Sequence, residues 1–214
     1  MDASSSNYLS INSGVAVTFN NTVGSTNHLS GLSISASHIN LPSSVTTTGT
    51  QAYYGAVSLS TNTTITTSST GVTGGVSFYG TVDAPNGSSL SINTVSTSHQ
   101  GSVNFLGAVG ATAAIGGLTI SAGTVNYSWI TSSNGITINS SGFSNGVYAN
   151  GGVITNTGGT GTGIVIQANG NLYLNNITNS CSLGILLAGG YGVAAGNTTS
   201  GGTISNLGLS LIHI

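Results

Sequence analysis

The chain reads Val76-Ser77-Phe78-Tyr79-Gly80-Thr81-Val82-Asp83 and, 27 residues further on, Val103-Asn104-Phe105-Leu106-Gly107-Ala108-Val109-Gly110. Each segment continues, after a connector rich in Gly, Ser, Thr and Asn, into a Leu-x-Ile pair, at Leu90/Ile92 and at Leu118/Ile120. Apolar residues alternate with polar ones within each unit, which is the period of a β-strand with one buried face. Recurrence at this spacing indicates a repeat architecture.

Two further copies lie nearer the amino terminus. Residues 17–24 place Phe19 at the position of Phe78 and Phe105, and Leu32 and Ile34 then take the place of the Leu-x-Ile pair. A looser copy runs from residues 53–57 to residues 64–66. We therefore predict that the three aligned phenylalanines stack in the core.

The composition excludes several classes of protein. The chain has 34 Gly, no Lys or Arg and only two acidic residues among 214, whereas about 25% of a typical soluble domain is charged. Without basic side chains, nucleic-acid binding and polybasic membrane attachment are not expected, and no apolar run is long enough to insert into a membrane as a helix. Because 38% of the residues are hydrophobic and the net charge is −2, the chain is expected to fold.

The repeats predict an all-β fold, a right-handed parallel β-helix (β-solenoid) with coils of roughly 20–27 residues. A unit of two or three short strands cannot bury its apolar face alone, but stacked units pair each strand with its counterpart and bury a continuous column. Stacked like charges would repel each other, which fits their scarcity here. An antiparallel sandwich or barrel is the alternative, since short strands at this spacing suit it as well.

We interpret residues 1–208 as a single solenoid array. The repeat motif changes near residue 131, where aromatic-Gly-x-Val units are replaced by short apolar segments that follow a Gly, such as residues 135–138 and 163–166. Residues 209–214 depart from the repeat and resemble the conceptual translation of a transposase adapter used for sequencing libraries. They are expected to be a non-native tail.

The cadence of residues 74–83, 89–93, 105–110 and 118–120, together with residues 48–57, resembles that of filamentous-haemagglutinin-like and autotransporter-passenger adhesins. The resemblance implies a segment of a β-helical stalk from a large secreted bacterial protein, displayed at the cell surface and anchored in the outer membrane in its full-length form. It also implies binding of the full-length protein to host-surface or matrix glycans or proteins. Within the chain, the partners of each repeat are its neighbours.

Few residues could carry catalysis. Glycoside hydrolysis normally needs two carboxyl groups flanking the scissile bond, and Asp2 and Asp83 are the only acidic residues. Asp83 opens a turn sequence, residues 83–88, so we expect it to be a solvated turn residue. The chain is therefore predicted not to be an enzyme, and no catalytic residue is assigned.

The candidate metal ligands do not show the spacing of a metal site. A structural zinc site usually has four ligands, and the candidates share no such pattern: His28, His38, His99, His213 and Cys181. Cys181 is expected to pack as a small apolar residue. The Gly-rich run at residues 158–163 lacks the Lys of a phosphate loop. No metal, cofactor or cofactor-binding residue is therefore predicted.

The aromatic residues allow two interpretations. Five of them could form an exposed platform on which a carbohydrate stacks, namely Tyr53, Tyr54, Tyr79, Tyr127 and Trp129. Large aromatic side chains more often supply core or corner contacts, and we favour that interpretation.

The leading function is that of a non-enzymatic structural and adhesive stalk segment. One alternative is an ice-binding or carbohydrate-binding solenoid with a Thr-rich face, to which residues 46–48 and 64–67 point. A flat array would need Thr-x-Thr in every coil, which residues 131–208 do not keep. A second alternative is an amyloid-like extracellular matrix protein, because low charge and high β-propensity favour cross-β assembly.

Overall fold

A computed structural model of the protein describes residues 7–68, 74–95, 100–141, 146–158, 162–190, 192–195, 198–200, 204–206 and 210–212. The described residues form strands and no helix. Parallel strands stack in coils of about 23 residues and form a β-solenoid. This confirms the predicted solenoid, and because the named strands pair in parallel, the antiparallel sandwich or barrel is wrong.

The strands are, in chain order, β1 (Tyr8–Asn12), β2 (Val17–Thr18), β3 (Gly31–Leu41), β4 (Ser44–Thr47), β5 (Gln51–Leu59), β6 (Thr63–Thr67), β7 (Val76–Phe78), β8 (Val82–Asp83), β9 (Leu90–Asn93), β10 (Ser102–Phe105), β11 (Leu118–Ala122), β12 (Thr124–Tyr127), β13 (Ile130–Ser132), β14 (Ile136–Ser140), β15 (Val147–Ala149), β16 (Ile154–Asn156), β17 (Ile164–Ala168), β18 (Asn171–Tyr173), β19 (Ile177–Asn179), β20 (Ile185–Gly189), β21 (Gly192–Ala195), β22 (Thr198–Ser200), β23 (Ile204–Asn206) and β24 (Ser210–Ile212).

Three sheets line the solenoid. The first sheet stacks β1, β3, β5, β7, β10, β12, β15, β18, β21 and β24, with β2 and β8 pairing beside this path. The second sheet stacks β4, β6, β9, β11, β14, β17, β20 and β23, and the third stacks β13, β16, β19 and β22. Successive strands of one sheet come from successive coils, so the step varies with the connectors: it is 19 residues from Leu32 to Gln51 and 27 from Val76 to Val103.

The core consists of columns in which like residues stack from coil to coil. One column of the second sheet is aliphatic and fully buried, and it contains Ile65, Ile92, Ile120, Ile138, Ile166 and Leu187. Burying one such side chain contributes about 2 kcal/mol. Because each coil meets only its neighbours, this column and the other buried columns stabilise the fold through contacts between adjacent coils.

An aromatic column runs inside the first sheet. It contains Tyr53, Phe78, Phe105 and Tyr127, which occupy one register position and are buried. The ring centroids of Tyr53 and Phe78 are 4.9 Å apart and those of Phe78 and Phe105 are 5.2 Å apart, with nearly parallel planes. The predicted stacking of Phe78 on Phe105 is therefore confirmed.

The alignment of Phe19 with this column is wrong. The amide of Phe19 donates to the carbonyl of Asn40, 3.2 Å away, and the preceding strand β2 pairs with the second half of β3. Phe19 is half-buried and packs at the margin of the core. Leu32 likewise pairs with Gln51 of the first sheet, and not with the second-sheet column of Leu90. Both differences arise because β3 is a single 11-residue strand with a register shift between Ser35 and His38. Later coils have two short strands in its place, such as β7 and β8.

The change of texture near residue 131 coincides with the start of the third sheet. Ile130, the first residue of this sheet, bridges to Val109 of the preceding coil. Ile154 and Ile177 occupy the same inward-facing position in the next two coils. Pairing in the two larger sheets runs on without a break at this point, from β12 to β15 and from β11 to β14. The third sheet thus continues, through Val109, the row that begins with Val57 of β5 and Val82 of β8.

Candidate functional site

Asp83 has a structural role. It lies half-buried in β8, and its Oδ1 accepts hydrogen bonds from the backbone N–H groups of Thr112 and Ala113, at 2.9 and 3.0 Å. Those two residues belong to a connector of the next coil. The prediction of a solvated turn residue is therefore wrong, because the carboxylate holds this connector in place.

The candidate metal ligands are dispersed. His28 Nδ1 lies 3.2 Å from Ser68 Oγ, and Cys181 is fully buried, as predicted for a small apolar residue. Within the described ranges, no group of three His, Cys, Asp or Glu side chains is close enough to hold a metal ion. Outside them lie Asp2, His99, His213 and residues 159–161 of the Gly-rich run.

The five aromatic candidates divide into buried and exposed sets. Tyr53 and Tyr127 belong to the core, and burial raises the pKa of both hydroxyls above the ordinary value for tyrosine. The Tyr53 hydroxyl donates to Gln51 Oε1 at 2.6 Å. Tyr54, Tyr79 and Trp129 are 43%, 46% and 46% exposed. The core interpretation thus holds for two of the five, and three are available at the surface.

Tyr54, Tyr79 and Leu106 form a strip on the outer face of the first sheet, which we call the tyrosine strip. Each follows a residue of the buried aromatic column and therefore points outward, since side chains alternate along a strand. The rings of Tyr54 and Tyr79 stack with centroids 4.2 Å apart, and a hydrogen bond between them raises the pKa of Tyr54. Leu106 is 56% exposed. The strip is an uncovered apolar surface in a polar face.

A ladder of amides runs beside the tyrosine strip. Asn126 Nδ2 donates to Asn104 Oδ1 at 2.8 Å, and Asn104 Nδ2 donates to Ser77 Oγ at 3.2 Å. Between ladder and strip lies a cleft of about 380 Å³, lined by Ser77, Tyr79, Asn104, Phe105, Leu106, Asn126 and Asn150. We call it the amide cleft.

The amide ladder was not predicted from the sequence. The signal was nevertheless present, because Val-Asn-Phe at residues 103–105 recurs as Val-Asn-Tyr at residues 125–127. The apolar residues on both sides of each Asn point inward, so the Asn between them must point outward. Parallel pairing in register then brings the two amides together.

The outer face of the second sheet carries two ranks of short polar side chains. In register, the first rank is Ser44, Thr64, Ser91, Thr119 and Thr137, and the second is Thr46, Thr66, Asn93, Ser121 and Asn139. In β17 and β20 these positions hold Val165 with Gln167 and Leu186 with Ala188. The array thus spans five coils and then becomes largely apolar, as expected from the loss of Thr-x-Thr after residue 131.

A second cleft, of about 430 Å³, lies where the polar ranks end. It is lined mainly by aliphatic side chains and glycines, including Val165, Leu183 and Leu186. It offers apolar surface without the side-chain amides of the amide cleft.

Comparison of the chain with models of protein families, with curated proteins and with solved structures gave no match. Within the described residues, no helix is long and apolar enough to cross a bilayer. The β-solenoid fold and its two outer faces are therefore the basis for the functional proposal.

Proposed function

We propose that the protein is a non-enzymatic structural and adhesive segment of a large secreted bacterial surface protein. In this role the full-length protein is anchored to the bacterial surface, and the solenoid holds a binding region away from the cell. The polar faces of the solenoid also make weak multivalent contacts with host-surface or matrix glycans or proteins.

The observation that supports this proposal is the uninterrupted pairing of the first sheet from β1 to β21, over nine stacked strands. At about 4.8 Å per strand, the stack is roughly 40 Å long. Repeat proteins of this kind present extended surfaces because each coil repeats the outer face of the last. The repeat texture that resembles bacterial adhesins agrees with this geometry.

Bead adhesion tests the proposal. Beads coated with the 214-residue chain are expected to remain bound to matrix-coated surfaces or epithelial layers under flow. The fraction retained should exceed that of albumin-coated beads. Because the chain has no Lys or Arg, retention should change little between low-salt and high-salt buffer. Retention equal to albumin would contradict the adhesive role, and loss of retention in high salt would contradict contacts made by the uncharged faces. Sedimentation of the free chain as fibres would favour the amyloid-like alternative.

The two polar ranks of the second sheet favour ice binding as a second candidate. Their grid has about 4.8 Å between coils and roughly 6.6 Å between ranks, so it could order a layer of water. Ice binding predicts a gap between the melting and freezing points of a solution of the protein. Thr119→Lys should remove this gap, whereas Asn20→Lys, at an exposed position away from the ranks, should leave it intact. The adhesive proposal predicts no such gap, and nanolitre osmometry separates the two.

A further inference from the structure

We propose that the amide cleft and the adjoining tyrosine strip bind a short stretch of a neutral glycan. This inference rests on the adhesive function proposed above and gives it a site and a class of ligand. The cleft volume of about 380 Å³ falls within the range of small-ligand sites.

The apolar side of the cleft suits the ring of a sugar. Tyr79 and Leu106 are 46% and 56% exposed and line one side of it. A pyranose ring carries C–H groups on its faces and hydroxyls around its edge, so it can rest C–H groups on an aromatic or aliphatic surface while the hydroxyls point elsewhere. The Tyr54 ring stacks on Tyr79 and keeps it from turning away.

The polar side of the cleft suits the hydroxyls. An Asn side chain offers two donors and one acceptor oxygen, which matches a hydroxyl that both donates and accepts. Asn126 engages Asn104 through Nδ2, and among the described residues its Oδ1 accepts no hydrogen bond. Asn150 is exposed, and its side chain makes no hydrogen bond with any described residue. Both amides therefore have capacity to bind a ligand.

The charge of the chain selects a neutral glycan over an acidic one. No Lys or Arg occurs anywhere in the sequence, so a sulfate or carboxylate on the sugar would lose water without gaining an opposite charge. The ladder itself is uncharged and is fixed by hydrogen bonds within the sheet, so little ordering is needed on binding.

Titration calorimetry of the 214-residue chain with cellohexaose and chitohexaose, and with oligogalacturonate as the acidic probe, tests the inference. We expect at least one neutral probe to bind more tightly than the acidic one. Tyr79→Ala and Asn126→Ala are each expected to weaken binding by about tenfold, whereas Tyr79→Phe keeps the ring and should stay within about threefold.

Tyr173→Ala is the matched control. It removes the exposed ring of a second stack, that of Tyr173 on the half-buried Tyr148. Tyr173 does not line the cleft, so its loss should leave affinity within about twofold. An equal loss in Tyr173→Ala and Tyr79→Ala would overturn the site. If Tyr79→Ala loses its circular dichroism spectrum, Leu106→Ser takes its place with the same expected loss. Beads that adhere while neither neutral probe binds would refute this inference and leave the adhesive function standing, whereas failure of both would refute both.

Discussion

Gly107→Ala is expected to prevent stable folding of the solenoid. A Cβ at residue 107 would fall far inside van der Waals distance of the Gly80 carbonyl oxygen, and Gly80 stands in the same relation to Gly55. These glycines lie between the outward aromatic or Leu and the inward Val of each unit, so backbone is packed directly on backbone from coil to coil. Because the strands on both sides are fixed by pairing, no flexible side chain can move to make room.

We expect Gly107→Ala to cost about 4 kcal/mol or more of unfolding free energy, at the upper end of what single substitutions do. Gly117→Ala is the control, since its Cβ would meet its nearest neighbour, the Asn134 carbonyl oxygen, at an ordinary 3.4 Å. That variant should cost less than about 1 kcal/mol. Urea unfolding followed by circular dichroism measures both, and equal losses would show that the glycine column is not what sets the spacing of the coils.

The same glycines explain how much of the fold the sequence predicts. The motif aromatic-x-Gly-x-Val recurs at residues 53–57, 78–82 and 105–109. A buried ring, a close backbone contact and a buried valine follow one another in each of these coils. Phe78 and Phe105, and Leu90 and Leu118, were therefore aligned correctly. The first copy was aligned wrongly, because β3 runs through the corner without a Gly there. As a result, β2 pairs with the second half of β3 and not with the first half, which pairs with the aromatic column.

The candidate site was less predictable. The sequence marks Tyr53 and Tyr54 equally, and only the pairing register shows that Tyr53 enters the core while Tyr54 joins the strip. The cleft also depends on which residues two coils place side by side, and connector lengths decide that. Asn126 and Asn150 are 24 positions apart in sequence, yet they line one cleft.

Asn156→Asp is expected to destabilise the carboxyl-terminal coils strongly at neutral pH. Asn156 is fully buried: its Oδ1 accepts from the Gly135 N–H at 3.1 Å, and its Nδ2 donates to Asn179 Oδ1 at 2.8 Å and to the Thr162 carbonyl at 3.1 Å. An aspartate would set a charged oxygen against two acceptor oxygens in a fully buried site. Removing one partner of a buried polar network costs about 1–3 kcal/mol per group left unpaired, and more when a charge is involved.

The pH dependence separates this effect from simple loss of packing. Burial and the two facing oxygens should raise the folded-state pKa of the new carboxyl above its unfolded value of about 3.9. The folded state then binds the extra proton, so the stability of Asn156→Asp should rise as pH falls from neutral toward about pH 4. Asn156→Ala should be destabilised without that added slope, and Asn20→Asp, at an exposed position, should resemble the parent chain. Thermal unfolding across this pH range measures all three. A flat profile for Asn156→Asp would mean that solvent reaches the new carboxylate, and that the hydrogen bond between Asn156 and Asn179 contributes register between coils more than stability.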